Sequence, residues 1–186
     1  MEIFRKKLEA FGPIPQDQWE QFTALARPIT FQKGEILQRE GDTWQDIYFI
    51  EEGLFRIYYL KDGVEYIRQF FFEGGIFSEL ASTALGRPSR LYMDAVESGK
   101  GWLVAWKEMR HWSHFQTMAL ADSVYHVSNR MASLFLDTPE QRYLELVASR
   151  PKVVERIPQY MIAAYLGVTP EGLSRLKKRL RKNQST

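Results

Sequence analysis

The stretch Ile157-Pro-Gln-Tyr-Met-Ile-Ala-Ala-Tyr-Leu-Gly-Val-Thr-Pro-Glu-Gly-Leu-Ser-Arg-Leu-Lys-Lys-Arg-Leu180 predicts two helices joined by a tight turn. The first runs from about Pro158 to Leu166, with Ile162 and Leu166 facing inward and Ala163 small enough to let a second helix cross closely. Gly167 can take the left-handed backbone conformation that ends a helix, and Val168 plugs the turn. Thr169 then supplies an N-cap hydroxyl and Pro170 fits the first helical position, where no N–H is needed. In the second helix Leu173, Leu176 and Leu180 fall on one stripe. Glu171, Ser174, Arg175, Lys178 and Lys182 fall on the opposite face.

This layout is that of a helix-turn-helix, whose second helix enters the major groove of double-stranded DNA. Thr169, Glu171, Ser174, Arg175, Lys178 and Lys182 are the expected DNA-binding residues. Arg175 can donate two hydrogen bonds to a guanine edge, and Glu171 can accept one from a cytosine amino group. Lys177, Lys178, Arg179 and Arg181 suit phosphates, which provide salt-dependent and sequence-blind affinity. The competing reading is an ordinary helical hairpin with a charged outer face. A small residue, a turn glycine, a cap and a basic face, all in register, favour DNA.

Charge is distributed accordingly. The chain has 25 basic and 23 acidic residues, a formal net charge of +2. Residues 172–186 hold six of the bases, Arg175, Lys177, Lys178, Arg179, Arg181 and Lys182, and no acid. The remainder is therefore net acidic, and a basic end on an acidic body fits a polyanion partner.

Upstream, Thr138-Pro139-Glu140-Gln141 is a fresh helix start: Thr138 caps, Pro139 takes the first position and Gln141 completes a capping box. A domain boundary is expected there, dividing residues 1–137 from residues 138–186. Before it, Leu120, Val124, Val127, Met131 and Leu134 step by four, three, four and three, predicting a helix over about 117–136. That seam suits a dimer interface with a second copy of the helix. Burial against the same chain is the alternative, and the apolar Ala121, Tyr125 and Phe135 on flanking faces allow both. Residues 27–106 carry short Ile-, Val-, Tyr- and Phe-rich runs punctuated by glycine at 34, 41, 53, 63, 74–75 and 86, the pattern of an antiparallel barrel or sandwich. Asp62-Gly63 between Leu54–Leu60 and Val64–Phe72 marks a hairpin, and Trp102–Trp106 reads as the last strand. Residues 1–26 form two short helices or one broken at Gly12-Pro13 and Pro15. The fold class is α+β: an N-terminal antiparallel β-roll with a long dimerisation helix, then a small all-α domain.

The 186 residues include no cysteine, which excludes disulfides, thiolate metal sites and cysteine nucleophiles. No apolar run is long enough for a membrane helix and the amino end has no signal-peptide pattern, so a cytoplasmic location is expected. His111 and His114 have no carboxylate cluster nearby in sequence, and no catalytic or metal-binding constellation stands out. A non-enzymatic role is expected.

The order β-roll, heptad helix, helix-turn-helix resembles the Crp–Fnr family of bacterial transcription regulators over nearly the whole chain. Phe31-Gln-Lys-Gly-Glu-Ile-Leu followed by Glu40-Gly-Asp is similar to the start of that family's cyclic-nucleotide-binding roll. Gly74-Gly-Ile-Phe-Ser-Glu79-Leu80 resembles its phosphate-binding cassette. The resemblance implies an effector site at Gly74, Phe77, Ser78, Glu79, Leu80, Ser89 and Arg90, with Glu79 on the ribose and an arginine on the cyclic phosphate. Here the sequence departs: Ser78 replaces a usual glycine, and aligning Ala95 with the family's alanine puts Ser89 at the arginine position and Arg90 one place late. A cyclic nucleotide, another small ligand or no ligand all remain open as effector. Tyr92, Trp44 and Phe77 are read either as pocket lining or as core. The resemblance further implies a homodimer and RNA polymerase as a partner. It also implies a β-hairpin wing after the recognition helix, which is not evident before Thr186. The expected function is sequence-specific transcription regulation. The alternative is a ligand-binding or protein-interaction module whose helix pair does not bind DNA specifically.

Overall fold

Gly12, Pro13 and Pro15 do break the amino-terminal region in two: α1 (Glu2–Leu8) ends in a short 3-10 turn, and α2 spans Gln16–Leu25. The computed structural model describes residues 1–184, with Arg110, His111, Lys152, Val153, Asn183 and Gln184 described by their backbone alone. Six strands follow the first helices: β1 (Arg27–Phe31), β2 (Ile36–Gln38), β3 (Asp46–Lys61), β4 (Val64–Phe71), β5 (Ile76–Phe77) and β6 (Tyr92–Ala105), with α3 (Leu80–Leu85) between the last two. After a 3-10 segment come α4 (Ser113–Leu136), α5 (Pro139–Ser149), α6 (Pro151–Arg156), α7 (Gln159–Leu166) and α8 (Pro170–Gln184). The chain divides into two compact units, Met1–Tyr58 with Gln69–Tyr125, and Tyr59–Arg68 with His126–Thr186.

The strands run in the order β1-β6-β3-β4, with β2 on β6 and β5 on β3. Antiparallel pairing of β3 with β6 sets Tyr48 opposite Leu103, Phe55 opposite Ala95 and Tyr58 opposite Tyr92. The period of two then sorts the faces. Phe55 and Ile57 of β3 join Met93, Ala95 and Phe31 in one core, while Arg56 and Asp94 lie on the other face as a buried ion pair with two 2.8 Å hydrogen bonds. A second core seats Phe4, Leu8, Trp19 and Phe22 of the first two helices against Phe49, Val104, Trp112 and Phe115.

Two expectations are corrected here. Gly53 reads as a break between strands but sits inside the continuous 16-residue β3. It forms a bulge with φ 100°, and a Cβ there would lie 2.9 Å from both the Phe31 ring and the Ser98 carbonyl oxygen. The bulge turns the strand without ending it. The last strand is Tyr92–Ala105 rather than Trp102–Trp106, because Gly99 and Gly101 pass so close to the β3 backbone that only glycine fits. The hairpin turn is as expected: Asp62 and Gly63 both have positive φ, 52° and 77°, the combination a two-residue turn between twisted strands needs.

In α4 the helix begins at Ser113, four residues before the expected start. Its apolar side chains Leu120, Val124, Met131 and Leu134 are exposed, with Val124 at 64%, and Val127 is half-buried. Thr138 caps α5 through a complete capping box, and Pro139 occupies its first turn. The two compact units meet within α4, between Tyr125 and His126.

Candidate nucleic-acid interface

The turn between α7 and α8 is built by local chemistry. Gly167 adopts φ 72° and ψ 34°, and the Val168 N–H donates to the Ala163 carbonyl at 3.0 Å, which closes α7. Thr169 Oγ1 accepts from the Gly172 N–H at 3.1 Å, and the Leu173 N–H donates to the Thr169 carbonyl. Ile162, Ala163 and Leu166 of α7 and Leu173 and Leu176 of α8 are buried, while Leu180 is only half-buried. Ala163 is fully enclosed, as expected for a close helix crossing.

On α8, Glu171, Ser174, Arg175, Lys178 and Lys182 are all exposed, spaced so that they share one face of the helix. A groove of about 650 Å³ lies alongside, lined by Gln159, Pro170, Leu173, Ser174, Lys177, Lys178 and Arg181. Gln159 is a site residue that sequence reasoning missed. It opens α7, and its Oε1 accepts from Lys177 Nζ at 2.8 Å. Two cations assigned to phosphate contacts therefore have protein partners: Lys177 on Gln159, and Arg179 paired with Glu140 at the start of α5. Thr169, expected at the interface, is exposed but its hydroxyl is committed to the cap.

The second candidate region is the roll's cassette. Gly74 and Gly75 are bonded to β3, the Gly74 N–H donating to the Ile50 carbonyl at 2.7 Å and the Ile50 N–H to the Gly75 carbonyl at 2.9 Å. Phe77 and Leu80 are core residues, with Phe77 packed edge-on against Trp44 at 5.2 Å. Ser78 Oγ donates to the Asp46 carbonyl, and 2.7 Å separates it from Thr83 Oγ1. Glu79 caps its own helix, Oε2 accepting from the Ser82 N–H at 2.6 Å. Ser89 is 6% exposed, accepts from the Leu91 N–H, and ties its backbone to Gly41 and Asp42. Arg90 is exposed. Trp44 belongs to the core, and Tyr92 stacks on Tyr58 at 5.3 Å. Tyr48, which accepts from Gln38 Nε2, has its phenol pushed above the ordinary value by burial.

This set does not fit a cyclic nucleotide. The glutamate meant for the ribose is spent as a cap, and the arginine position holds a buried serine bonded to its own loop. Trp44 Nε1 is buried without a hydrogen-bond partner, but a neutral donor cannot replace a guanidinium beside a phosphate in a region of low dielectric. Among the described residues no cluster of three or more His, Asp or Glu could hold a metal ion, and no helix is long and apolar enough to cross a membrane. His114 meets the Phe11 carbonyl at 2.6 Å, while the side chain of His111 lies outside the described ones.

Residues 28–111 match the cyclic nucleotide-binding domain family. No curated protein sequence matches the chain. Among solved structures, it is similar to FixK2 from Bradyrhizobium japonicum, with a TM-score of 0.74, 21% identity and coverage of 86% of each chain. It is similar to CLP, the c-di-GMP responsive global regulator of Xanthomonas campestris, with a TM-score of 0.73, 13% identity and coverage of 91% and 93%. A transcriptional regulator of the crp/fnr family from Eubacterium rectale gives a TM-score of 0.68 at 16% identity, covering 94% and 89%. The chain thus has the cyclic nucleotide-binding fold followed in sequence by a helical part, the fold also seen in these structures.

Proposed function

We propose that this protein is a cytoplasmic, homodimeric, sequence-specific DNA-binding transcription regulator of the Crp–Fnr type. The observation that carries the reading is α8: a buried Leu173–Leu176 stripe beneath an exposed face of Glu171, Ser174, Arg175, Lys178 and Lys182, entered through a glycine-ended, threonine-capped turn. In this reading α7 and α8 are a helix-turn-helix, and Arg175 and Glu171 reach base edges while Lys178 and Lys182 meet phosphates. Two-fold symmetry comes from α4, whose exposed Leu120, Val124, Met131 and Leu134, with Val127, pair with the same residues of a second copy. Thr138 opens the DNA-binding domain.

Selection of bound sequences from random duplex DNA tests the proposal. The expected result is an enriched site with two-fold symmetry, its half-sites about one helical turn apart. No enrichment at low salt would overturn it and leave an interaction module. The roll serves as a scaffold in this reading, because its cassette residues are engaged with one another rather than arranged around a cyclic nucleotide.

A further inference from the structure

We infer that Arg142 is a positioning residue for α8, acting by clamping the last carbonyls of α4 and α7 together; this rests on the DNA-binding reading. Arg142 stands in the first turns of α5 and is 8% exposed. Its Nε and Nη2 both donate to the Leu166 carbonyl, at 3.2 and 2.9 Å. Its Nη1 donates to the Ser133 carbonyl at 3.2 Å and to the Asp137 carbonyl. Leu166 is the final residue of α7, Ser133 is in the last turn of α4, and Asp137 follows directly after it. The Leu166 carbonyl is one that a helix terminus leaves without an intrahelical partner, the Ser133 carbonyl accepts the Asp137 N–H at 3.1 Å as well, and carbonyls at a helix end carry its partial negative charge. One buried cation thus joins two helix ends beyond their own backbone caps, with the helix ends standing in for a carboxylate.

A second arginine reinforces the same end of α7. Arg130 of α4 donates from Nη2 to the Tyr165 carbonyl, and its guanidinium lies 4.0 Å from the centre of the Tyr165 ring. Burial lowers the affinity of Arg130 for its proton, as does the charge of Arg142, while Tyr165 acts the other way. Tyr165 and Leu166 are consecutive, so the terminus of α7 is held by two cations from two helices. Only Gly167, Val168 and Thr169 separate it from α8, so the direction of α8 follows from the clamp. A planar fork with five donors can meet three carbonyls at two helix ends, which a lysine ammonium cannot do with the same geometry. Base reading requires α8 to be held in one orientation, whereas phosphate attraction does not.

The first measurement uses native-state hydrogen exchange on the full wild-type chain. Amides of residues 126–137 and 159–166 are expected to exchange through one shared opening with the same denaturant dependence. Separate openings overturn the clamp. The second compares duplexes in Arg142→Met, with folding followed by circular dichroism. The affinity ratio between the selected site and a scrambled duplex is expected to fall about tenfold, with scrambled-duplex affinity and its salt slope unchanged. Arg142→Lys should recover part of the ratio. Equal losses on both duplexes, or no loss, overturn the positioning role. Should Arg142→Met not fold, Arg130→Met carries the same comparison, with a smaller fall expected. A wild-type chain that prefers no duplex overturns the DNA reading and the positioning role with it, while shared exchange would still support the clamp.

Discussion

Arg175 and Lys178 are neighbours on the exposed face of α8, yet they are expected to fail differently when removed. Arg175→Ala should cost about 1–3 kcal/mol at one base pair of the selected site and little elsewhere. Lys178→Ala should weaken every duplex alike and lower the salt slope by about one. Competition binding against single-base variants of the site separates the two outcomes, and a uniform loss for Arg175→Ala would remove it from base reading. On the other side of the molecule's chemistry, Arg56 and Asp94 form an ion pair in which both side chains are nearly buried and Arg56 also lies over the Tyr58 ring. Asp94→Asn leaves a buried guanidinium without its counter-charge, and denaturant unfolding should record a loss of about 3–5 kcal/mol. This pair was invisible in the sequence, since Arg56 and Asp94 are far apart along the chain and become partners only through the β3–β6 register. Ser89 is a contrary case. Its place in the arginine position was legible from alignment with Ala95, but its bonding to the Leu91 N–H and to the Gly41–Asp42 loop was not.

At the scale of elements, local signals held wherever local chemistry sufficed. Gly167→Ala should destabilise the helix pair by about 1–2 kcal/mol, because φ 72° penalises a Cβ although nothing lies within 4 Å of one there. Thermal or denaturant melting checks this, and an unchanged midpoint would mean that the turn can rearrange. The capping box at Thr138 and the Asp62-Gly63 turn were read for the same reason, since each depends on residues at most three apart. Gly53 misled because a bulge glycine and a turn glycine look alike until the partner strand is known. The seam of α4 was legible as a period, and its exposure distinguishes a surface from a core. Val124→Glu with Met131→Glu should convert the proposed dimer to a monomer in sedimentation experiments, since each buried apolar side chain would otherwise contribute about 1.5–3 kcal/mol. An unchanged mass would place the dimer contact elsewhere.

For the molecule as a whole, the cyclic nucleotide-binding fold and the chemistry of its cassette point in different directions. Residues 28–111 match the cyclic nucleotide-binding domain family, while Glu79, Ser78 and Ser89 are committed to internal bonds. A ligand at 100 times its dissociation constant would add about 2.7 kcal/mol of stability, a rise in melting temperature of roughly 5–10 °C for a domain of this size. Saturating cyclic AMP is expected to produce no rise, and a rise of that order would show that the cassette rearranges to accept it. By itself the sequence determined the order of elements, the turn and cap of the helix pair, the basic face of α8 and the missing arginine, because these depend on short-range spacing and on residue type. Tertiary structure alone decided that Gly53 bends a strand instead of ending it, that Arg56 meets Asp94, that Gln159 and Glu140 engage cations of α8, and that Arg142 closes two helix ends. Each of those depends on groups brought together from distant parts of the chain, and no local pattern records which donor will reach which acceptor once the chain has folded.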